Sequence, residues 1–292
     1  MFSKQKQEYK KANPLIPIYN KTSDDWIKNA TDAGMFLISY QDLPINLPSK
    51  MGKLMNEAKK LYLNKTSKEI KSMCFGKCSF SDTKDEQIKR MFILQDPKLE
   101  GHPLPKLLMD EVYTEMRKFQ LSLIHRIFKV IGIKPPEGIS AKSMGVHGYL
   151  ANDNLSDIAL KSHIDAGILT LVQSTRSGLK AIVNGEVVDG WREGYISANF
   201  GGVAAIYSGR VIKPSIHWVV PVHTDKFTIV YPYDNDTNVP LLTYDSITSN
   251  FVKYSDGQKY FDAFFALFDE YVVDDKKSLQ LFLDSIYRHT LK

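Results

Sequence analysis

Long apolar runs are absent from this sequence. No stretch approaches the roughly 18 uninterrupted apolar residues of a membrane-spanning helix, and the opening "MFSKQKQEYKKANP" lacks the apolar core of a signal peptide. We therefore expect a cytoplasmic protein with no membrane partner. Cysteine is scarce too, because Cys74 and Cys78 of "CFGKC" are the only two. Without a second Cys or His pair nearby, this spacing argues against a zinc or disulfide framework, and we expect reduced thiols.

A large or clustered excess of charge of one sign is also missing, since the net charge is +5. The chain has 38 Lys and Arg residues against 33 Asp and Glu residues, and the acidic residues are interleaved throughout. A nucleic-acid interface requires a basic stripe or patch, so we expect no nucleic-acid partner. Repeats, low-complexity tracts and long Gly/Ser linkers are lacking as well, while hydrophobic residues make up 43% of the chain. This composition predicts a single globular domain over residues 1–292.

Helical periodicity occurs on both sides of the central predicted strands. From Lys106 to Val130, apolar residues recur every three or four positions, which predicts one long amphipathic helix that the prolines of "KPPEG" terminate. "TSDDWIKNATDAGMFLIS" predicts a helix followed by a short strand, and "MGKLMNEAKKLYLNKTSKEIKSM" predicts a helix, a break and a further helical turn. After the central strands, two apolar stripes at helical spacing contain Phe261, Phe264, Phe265 and Phe268, then Leu279, Phe282, Leu283 and Ile286.

From about Ser143 to Tyr233 the period of the apolar residues changes to two, which predicts strands. The β-branched and aromatic runs are "GILTLVQ", "GLKAIV", "EVVDGW", "VAAIYSG", "IHWVVPV" and "KFTIVYPY". The Asn184-Gly185 step predicts a tight hairpin, since a type I′ turn needs positive φ at both central residues. We expect an α+β protein in which helices flank about eight antiparallel strands that form a sandwich or small barrel.

A polar pair lies at the edge of one predicted strand. His163 and Asp165 of "KSHIDAG" are two residues apart, so on a strand both side chains point to the same side and can reach one metal ion. Two imidazoles and one carboxylate hold Fe(II) and leave positions open, so a third ligand is expected from a neighbouring strand. The spacing alone does not decide the matter, because a second pair of the same kind occurs at His223-Thr224-Asp225.

The downstream histidines are the candidates for the third ligand. His217 follows His163 by 54 residues, which leaves room for about four strands that return to the same sheet. His289 lies in a predicted terminal helix, which makes it a poor partner for either pair, and it is the only histidine after His223. The favoured hypothesis is a cluster of His163, Asp165 and His217.

The order of these motifs resembles the core of the Fe(II)/2-oxoglutarate-dependent oxygenases, and in particular their isopenicillin N synthase-like branch. The matching run consists of Tyr149, His163-x-Asp165, "GILTLVQ", "GLKAIV", "GW", "SGRVIKPSIHWVV" and Lys226-x-Thr228. "ATDAGMFLIS" and "LYLNKTSKEIKSM" resemble the N-terminal motifs of that branch. The resemblance implies a double-stranded β-helix, or jelly roll, over residues 143–235, with a helical and strand region over 1–142 and a helical cover over 236–292.

The resemblance also implies site residues and cofactors. The implied iron ligands are His163, Asp165 and His217. Lys226 and Thr228 fall where the family has the arginine and serine of its R-x-S motif, which bind the distal carboxylate of 2-oxoglutarate. Tyr149 matches the family tyrosine that reaches the same carboxylate. The implied cofactors are therefore Fe(II), 2-oxoglutarate as co-substrate and O2.

Four positions depart from the family's pattern, and one of them, Thr228, keeps the hydroxyl of the family's serine. Lys226 keeps the positive charge of the arginine but not its bidentate fork, so it would bind a carboxylate as a point charge. His147 stands where the family has asparagine, and Trp218 where it usually has arginine. His147, Arg210 and Lys213 are candidates for substrate contacts, although a solvated hairpin tip is the better explanation of the two cations before His217.

The implied activity is oxidation of an unactivated C–H bond of a small-molecule metabolite, coupled to decarboxylation of 2-oxoglutarate to succinate and CO2. Hydroxylation is the first expectation, with desaturation or ring formation as variants. Two alternatives stay open, which are an isopenicillin N synthase-like oxidase that does not use 2-oxoglutarate and a non-catalytic ligand-binding or regulatory module on the same barrel. The sequence carries no signal of an oligomeric state.

Overall fold

The structure is a computed structural model of the chain. It describes residues 16–76, 78–83, 88–94, 101–140, 143–151, 159–221, 223–268 and 276–290. Within these residues, no helix combines the length and the apolar character needed to cross a membrane.

The described residues form seven α-helices and fourteen β-strands. The helices are α1 (Asp25–Ala33), α2 (Leu47–Asn64), α3 (Ser67–Met73), α4 (Lys106–Val130), α5 (Gly202–Tyr207), α6 (Gly257–Phe268) and α7 (Lys276–Thr290). The strands are β1 (Met35–Ser39), β2 (Cys78–Thr83), β3 (Ile88–Leu94), β4 (Ile139–Ser140), β5 (Ser143–Tyr149), β6 (Leu160–His163), β7 (Leu169–Ser174), β8 (Leu179–Val183), β9 (Glu186–Asp189), β10 (Tyr195–Phe200), β11 (His217–Val219), β12 (Lys226–Asn235), β13 (Pro240–Asp245) and β14 (Asn250–Asp256). A single 3-10 turn, Tyr40–Asp42, follows β1.

Two antiparallel sheets form the centre of the fold. The larger sheet has the strand order β1-β10-β7-β12-β5-β3-β2, with β4 paired to β12, and the smaller sheet has the order β6-β11-β8-β9. From β5 to β12 the chain alternates between the two sheets, except where β8 and β9 form a hairpin. The four strands β10-β7-β12-β5 and the four strands of the smaller sheet make a double-stranded β-helix. The expected jelly roll with helical flanks is therefore confirmed.

Helices α2 and α4 cover the outer face of the larger sheet. Helix α4 has the bounds that its apolar spacing predicts, and it buries one stripe of side chains. Gln120 lies within this stripe and donates from Nε2 to the carbonyl oxygen of Tyr231 on β12 at 2.7 Å. From α2, the Tyr62 hydroxyl donates to the carbonyl oxygen of Val146 on β5 at 2.6 Å. These bonds fix the larger sheet from behind, which leaves its opposite face to the barrel interior.

The interior lies between the two sheets. Tyr149 and Val172 of the larger sheet pack against Leu179 and Val219 of the smaller sheet in one buried cluster. Since side chains alternate between the faces of a strand, the larger sheet also turns Lys226 and Thr228 of β12 toward this interior. The interior is thus apolar in part and also receives charged and polar groups.

The hairpin between β8 and β9 forms at the predicted step. Asn184 has a φ of 53° and Gly185 a φ of 88°, the two positive values that a type I′ turn needs. The hairpin places β8 beside β11, where Ala181 is paired with His217.

The segment "VAAIYSG" is helical, so the prediction of a strand there is wrong. Helix α5 spans Gly202–Tyr207 and all six of its residues are buried. A segment that is buried on every side has a continuous apolar sequence whether it is a helix or a strand, so its periodicity does not distinguish the two. The two alanines of this segment favour helix. The pattern also failed to predict β10, just before α5, and the β13-β14 hairpin after residue 235.

The C-terminal helices pack through aromatic side chains, as their spacing predicts. The rings of Phe264 on α6 and Phe282 on α7 have centroids 5.2 Å apart. The apolar stripe predicts that Phe265 is buried, but Phe265 is 62% exposed, so this prediction is wrong. The side chain of Phe268 lies outside the described residues. Tyr260 of α6 reaches the barrel, where its hydroxyl donates to the carbonyl oxygen of Ala166 at 2.9 Å.

Candidate metal centre

Two neighbouring strands of the smaller sheet bring the predicted metal ligands together. His163 is the last residue of β6 and His217 the first residue of β11, and the antiparallel register pairs these two residues directly. Paired residues of an antiparallel ladder project to the same face, so both imidazoles enter the interior. Asp165 follows β6 by two residues. The sheet therefore unites residues that are 54 positions apart in the sequence.

The potential ligand atoms of this cluster are close enough to share one cation. Asp165 Oδ1 lies 3.9 Å from His163 Nε2 and 3.8 Å from His217 Nε2. The two imidazole centroids are 4.4 Å apart, and the three ligand atoms all lie within 4.8 Å of one another. Among the described residues, this is the only group of three or more His, Cys, Asp or Glu side chains with such an arrangement.

Backbone carbonyl groups orient both imidazoles. His163 Nδ1 lies 2.7 Å from the carbonyl oxygen of Lys161, and His217 Nδ1 lies 3.1 Å from that of Ser215. A carbonyl oxygen only accepts, so each Nδ1 carries the proton and donates it. The lone pair of each neutral ring is then on Nε2, which faces Asp165, and this is the usual arrangement of a metal-binding histidine.

Asp165 presents an unsatisfied carboxylate oxygen to the cluster. Its Oδ2 is buried and has no hydrogen-bond partner among the described residues. A buried carboxylate without donors is unfavourable unless a cation compensates for its lost hydration. This orphaned oxygen, together with the two Nε2 atoms, fits a divalent metal ion.

The backbone that carries Asp165 is held from β10 and α5. Gly202 N donates to the carbonyl oxygen of Asp165 at 2.8 Å, and Val203 N donates to those of Ala166 and Gly167. Gly201 approaches so closely that a Cβ there would lie 2.8 Å from the Asp165 carbonyl oxygen and would also overlap that of Gly167. The absence of a side chain at Gly201 therefore allows the close contact that fixes the loop carrying Asp165.

Lys226 is a buried cation at the start of β12. It is 1% exposed, and the described residues give its Nζ neither a hydrogen bond nor an ion pair. Its Nζ lies 5.2 Å from the ring centroid of Tyr149, the residue paired with it on β5. Burial lowers the pKa of Lys226 from 10.5 to about 8, against a smaller upward effect of the Asp189 carboxylate and a further lowering by Lys180. An anion that entered the interior beside Lys226 would relieve this penalty.

The other two predicted anchor residues lie on the same strands. Tyr149 is 3% exposed and Thr228 is 4% exposed. Thr228 is paired with His147 on β5 and with Ser174 on β7, and its hydroxyl lies 3.4 Å from the Ser174 hydroxyl. His147 is also buried on the interior side of β5. The structure thus gathers Lys226, Tyr149, Thr228 and His147 on one inner face of the larger sheet.

Arg210 and Lys213 are bound elsewhere at the surface. Arg210 donates to Gln280 of α7 at 2.8 Å and lies 3.5 Å from Asp284, and Lys213 pairs with Asp32 of α1 at 3.0 Å. Both contacts join the segment before His217 to a flanking helix. The segment follows helix α5 and is not a hairpin tip, and in the structure both cations contact flanking helices.

The second H-x-D pair does not form a metal cluster in the structure. His223 is exposed, and Asp225 Oδ1 accepts a hydrogen bond from the Ala151 amide at 2.8 Å. The side chain of His289 lies outside the described residues. The rejection of His223 and Asp225 as ligands is consistent with these contacts.

Two residues that the sequence analysis missed, Asn199 and Ser215, adjoin the cluster. Asn199 is 0% exposed and Ser215 is 1% exposed, and their side chains meet at 3.5 Å. The signal in the sequence was a polar residue within the buried strand "YISANF", where an apolar one is expected.

Comparison with solved structures places the fold among oxygenases. JOX2 in complex with 2OG, Fe and JA superposes with a TM-score of 0.71 at 15% identity, over 84% of this chain and 83% of that chain. The rice dioxygenase for auxin oxidation (DAO) gives 0.68 at 13%, over 86% and 95%. A full-length Neurospora crassa protein in complex with alpha-KG and thymine gives 0.67 at 16%, over 83% and 94%. No protein-family model matches the sequence, and no curated protein matches it significantly. The fold implied by the sequence resemblance is confirmed.

Proposed function

We propose that this protein is a non-haem Fe(II)/2-oxoglutarate-dependent dioxygenase that hydroxylates an unactivated C–H bond of a small molecule. The reaction is coupled to decarboxylation of 2-oxoglutarate to succinate and CO2. One observation carries the proposal: a cluster of two imidazoles and one carboxylate shares an interior with Lys226, a buried cation that has no anionic partner within 4.0 Å among the described residues.

The donor set supports iron in particular. Two imidazole nitrogens and one carboxylate are the ligands of non-haem Fe(II) oxygenases, in which the remaining coordination positions stay open for ligands. His163, Asp165 and His217 would hold the metal. The carbonyl oxygens of Lys161 and Ser215 keep both Nε2 lone pairs directed at it.

The position of Lys226 supports a dicarboxylate co-substrate. One end of 2-oxoglutarate binds the metal, and its far carboxylate requires a cation inside the barrel. Lys226 supplies that charge from the neighbouring sheet, and the hydroxyls of Thr228 and Tyr149 are the candidates for additional hydrogen bonds. An ammonium group lacks the bidentate fork of arginine, so the hydroxyls of Thr228 and Tyr149 would contribute more to the orientation of the carboxylate.

Fe(II) and 2-oxoglutarate, when bound, supply the oxidising chemistry. The contribution of the protein is to position the groups and to exclude water. The paired strands β6 and β11 fix the two imidazoles, and Asp165 neutralises part of the metal's charge. Val172, Leu179 and Val219 keep the interior beside Tyr149 apolar, which strengthens the attraction between Lys226 and a carboxylate.

A small organic substrate is the best-supported class. The similar Neurospora crassa structure contains thymine and the JOX2 structure contains JA, which supports a small-molecule substrate. His147, which lies beside Thr228 in the sheet register, is our candidate for a contact between the protein and the substrate.

Anaerobic titration tests this function. Addition of Fe(II) and then 2-oxoglutarate to the metal-free protein should produce the visible charge-transfer band of the chelate, and O2 should then yield succinate. His217→Ala should abolish the band, whereas His223→Ala, a matched control in the second H-x-D pair, should leave it unchanged. Lys226→Met should require far more 2-oxoglutarate.

Other outcomes would select the alternatives. If Fe(II) binds but 2-oxoglutarate produces no band at any concentration, the isopenicillin N synthase-like oxidase becomes the better description. If the protein binds metal and small ligands but consumes no O2 with any reductant or co-substrate, the ligand-binding module does.

A further inference from the structure

Asn199 carries a buried amide that faces the same interior as His217. It lies on β10, where its direct partners are Met35 on β1 and Thr170 on β7. Met35 packs in a buried cluster with Ala181 of the smaller sheet, and Ala181 is the residue paired with His217. Since paired residues share a face, Asn199 projects from the larger sheet toward the side of the interior that holds His217.

The oxygen of this amide is connected to the orientation of His217. Asn199 Oδ1 accepts a hydrogen bond from the Ser215 hydroxyl at 3.5 Å, and the carbonyl oxygen of Ser215 accepts from His217 Nδ1 at 3.1 Å. On its other side, the chain after Asn199 contacts the Asp165 loop through Gly201 and Gly202. Asn199 is thus linked through Ser215 to the segment that leads into His217, and the chain that follows Asn199 holds the Asp165 loop.

The nitrogen of the amide has no partner. Asn199 Nδ2 is buried without a hydrogen bond among the described residues, and so is Asp165 Oδ2. One of these atoms is a donor and the other an acceptor. Buried polar groups in folded proteins nearly always have hydrogen-bond partners. An unsatisfied donor and an unsatisfied acceptor in the same region therefore indicate a ligand that would satisfy both. A cation satisfies the carboxylate, and an oxygen atom bound to that cation satisfies the amide.

We propose that Asn199 is a binding residue for the oxygen ligand of the metal, and that its Nδ2 donates a hydrogen bond to a carboxylate or water oxygen coordinated there. The inference rests on the proposed function, because it requires metal at His163, Asp165 and His217. The motif resemblance assigns no role to Asn199, and the role proposed for Asn199 differs from that of Lys226. Lys226 binds the far end of the co-substrate, whereas Asn199 acts at the metal.

The test uses the full chain with Co(II), which reports coordination by its visible d–d absorption, and oxalate. Oxalate chelates a metal through two carboxylates but has no chain that reaches toward Lys226. Asn199→Asp keeps the size and replaces the donor with an anionic acceptor. Asn199→Ala removes the amide. Asn64→Asp, at an exposed asparagine that ends α2, controls for the added charge.

We expect Asn199→Asp to keep or raise Co(II) affinity while it weakens oxalate binding to the Co(II) protein about thirtyfold or more. Asn199→Ala should weaken oxalate binding about tenfold and change the Co(II) dissociation constant less than about threefold. The Asn64→Asp protein should bind oxalate like the wild type. Thermal unfolding establishes that each variant is folded.

Three results would overturn parts of this account. Wild-type oxalate affinity in Asn199→Asp would remove the donor role. An equal loss of Co(II) and oxalate affinity in Asn199→Ala would show that Asn199 acts only through Ser215 and His217. A wild-type protein that binds no Co(II) would refute the proposed function and this inference together. If Co(II) and oxalate bind but 2-oxoglutarate does not, the co-substrate is wrong while the role of Asn199 stands.

Discussion

Replacement of Lys226 by methionine should stabilise the ligand-free protein while it removes the proposed anchor of the co-substrate. Methionine has nearly the same length and no charge, so it fills the same space between β12 and Tyr149. In the ligand-free protein the Lys226 ammonium has been removed from water without an anion in return, and this penalty disappears in the variant.

The pKa of Lys226 sets the size and the pH range of this effect. The fall from 10.5 in the unfolded chain to about 8 in the folded protein corresponds to about 3 kcal/mol against the folded, protonated state. Below pH 8 both states are protonated and the penalty is complete. Between about pH 8 and pH 10.5 the unfolded chain binds more protons than the folded protein, so wild-type stability rises with pH relative to the variant. Above pH 10.5 the penalty is gone.

Thermal unfolding followed by circular dichroism measures this difference. For 292 residues, an unfolding entropy of about 0.6 kcal/mol/K converts 3 kcal/mol into a rise in Tm of about 5 °C at about pH 7. The gap between Lys226→Met and wild type should close as the pH approaches 10.5. Lys53→Met, at an exposed position on α2, should leave Tm within about 1 °C. Equal melting temperatures of wild type and Lys226→Met at neutral pH would refute the argument, because the ammonium would then be solvated or paired.

Three further predictions concern the same region. The dissociation constant of 2-oxoglutarate should be constant below about pH 8 and rise up to tenfold per pH unit above it as free Lys226 loses its proton, whereas Lys226→Arg should remove this rise in titrations of the metal-loaded protein. Gly201→Ala should destabilise the fold by about 1–3 kcal/mol in urea unfolding, since the new Cβ meets the Asp165 loop. Gly52→Ala on α2, where the new Cβ has no atom within 4 Å, should stabilise the fold by about 0.5–1 kcal/mol. Equal effects of the two substitutions would contradict the close packing at Gly201. Chelation of the metal should lower stability by about 3 kcal/mol relative to protein in metal at a hundredfold excess over Kd, and His217→Ala should show no such response to the chelator.

The metal cluster could be predicted from the sequence because its geometry follows from simple periodicity. The two-residue spacing correctly predicts that His163 and Asp165 reach one site, although β6 ends at His163 and Asp165 lies in the loop that follows. The intervening strands lead the chain back to His217. The inward direction of Lys226 and Thr228 follows from the same alternation. Long, regular elements such as α4 were predictable for a similar reason, since a stripe of 25 residues outweighs local exceptions.

Features that depend on tertiary contacts escaped the sequence analysis. "VAAIYSG" is apolar because α5 is enclosed, and enclosure hides the period that separates helix from strand. The only local signal of Asn199 is a polar residue within the run "YISANF", and its importance arises from Ser215 and from strands distant in the sequence. The surface partners of Arg210 and Lys213, on α7 and α1, could not be inferred because ion pairs between remote elements leave no pattern.

The direct pairing of His163 with His217 also determines when in folding the metal can be captured. The two imidazoles meet only after a loop of 54 residues has closed and β6 and β11 have formed their ladder, and such long-range pairing is a late and slow event. Metal present during refolding should therefore leave the folding rate nearly unchanged and mainly slow unfolding. A metal ion bound at this cluster would therefore stabilise only the completed barrel, and a nascent or partly folded chain would bind it no better than isolated histidines do.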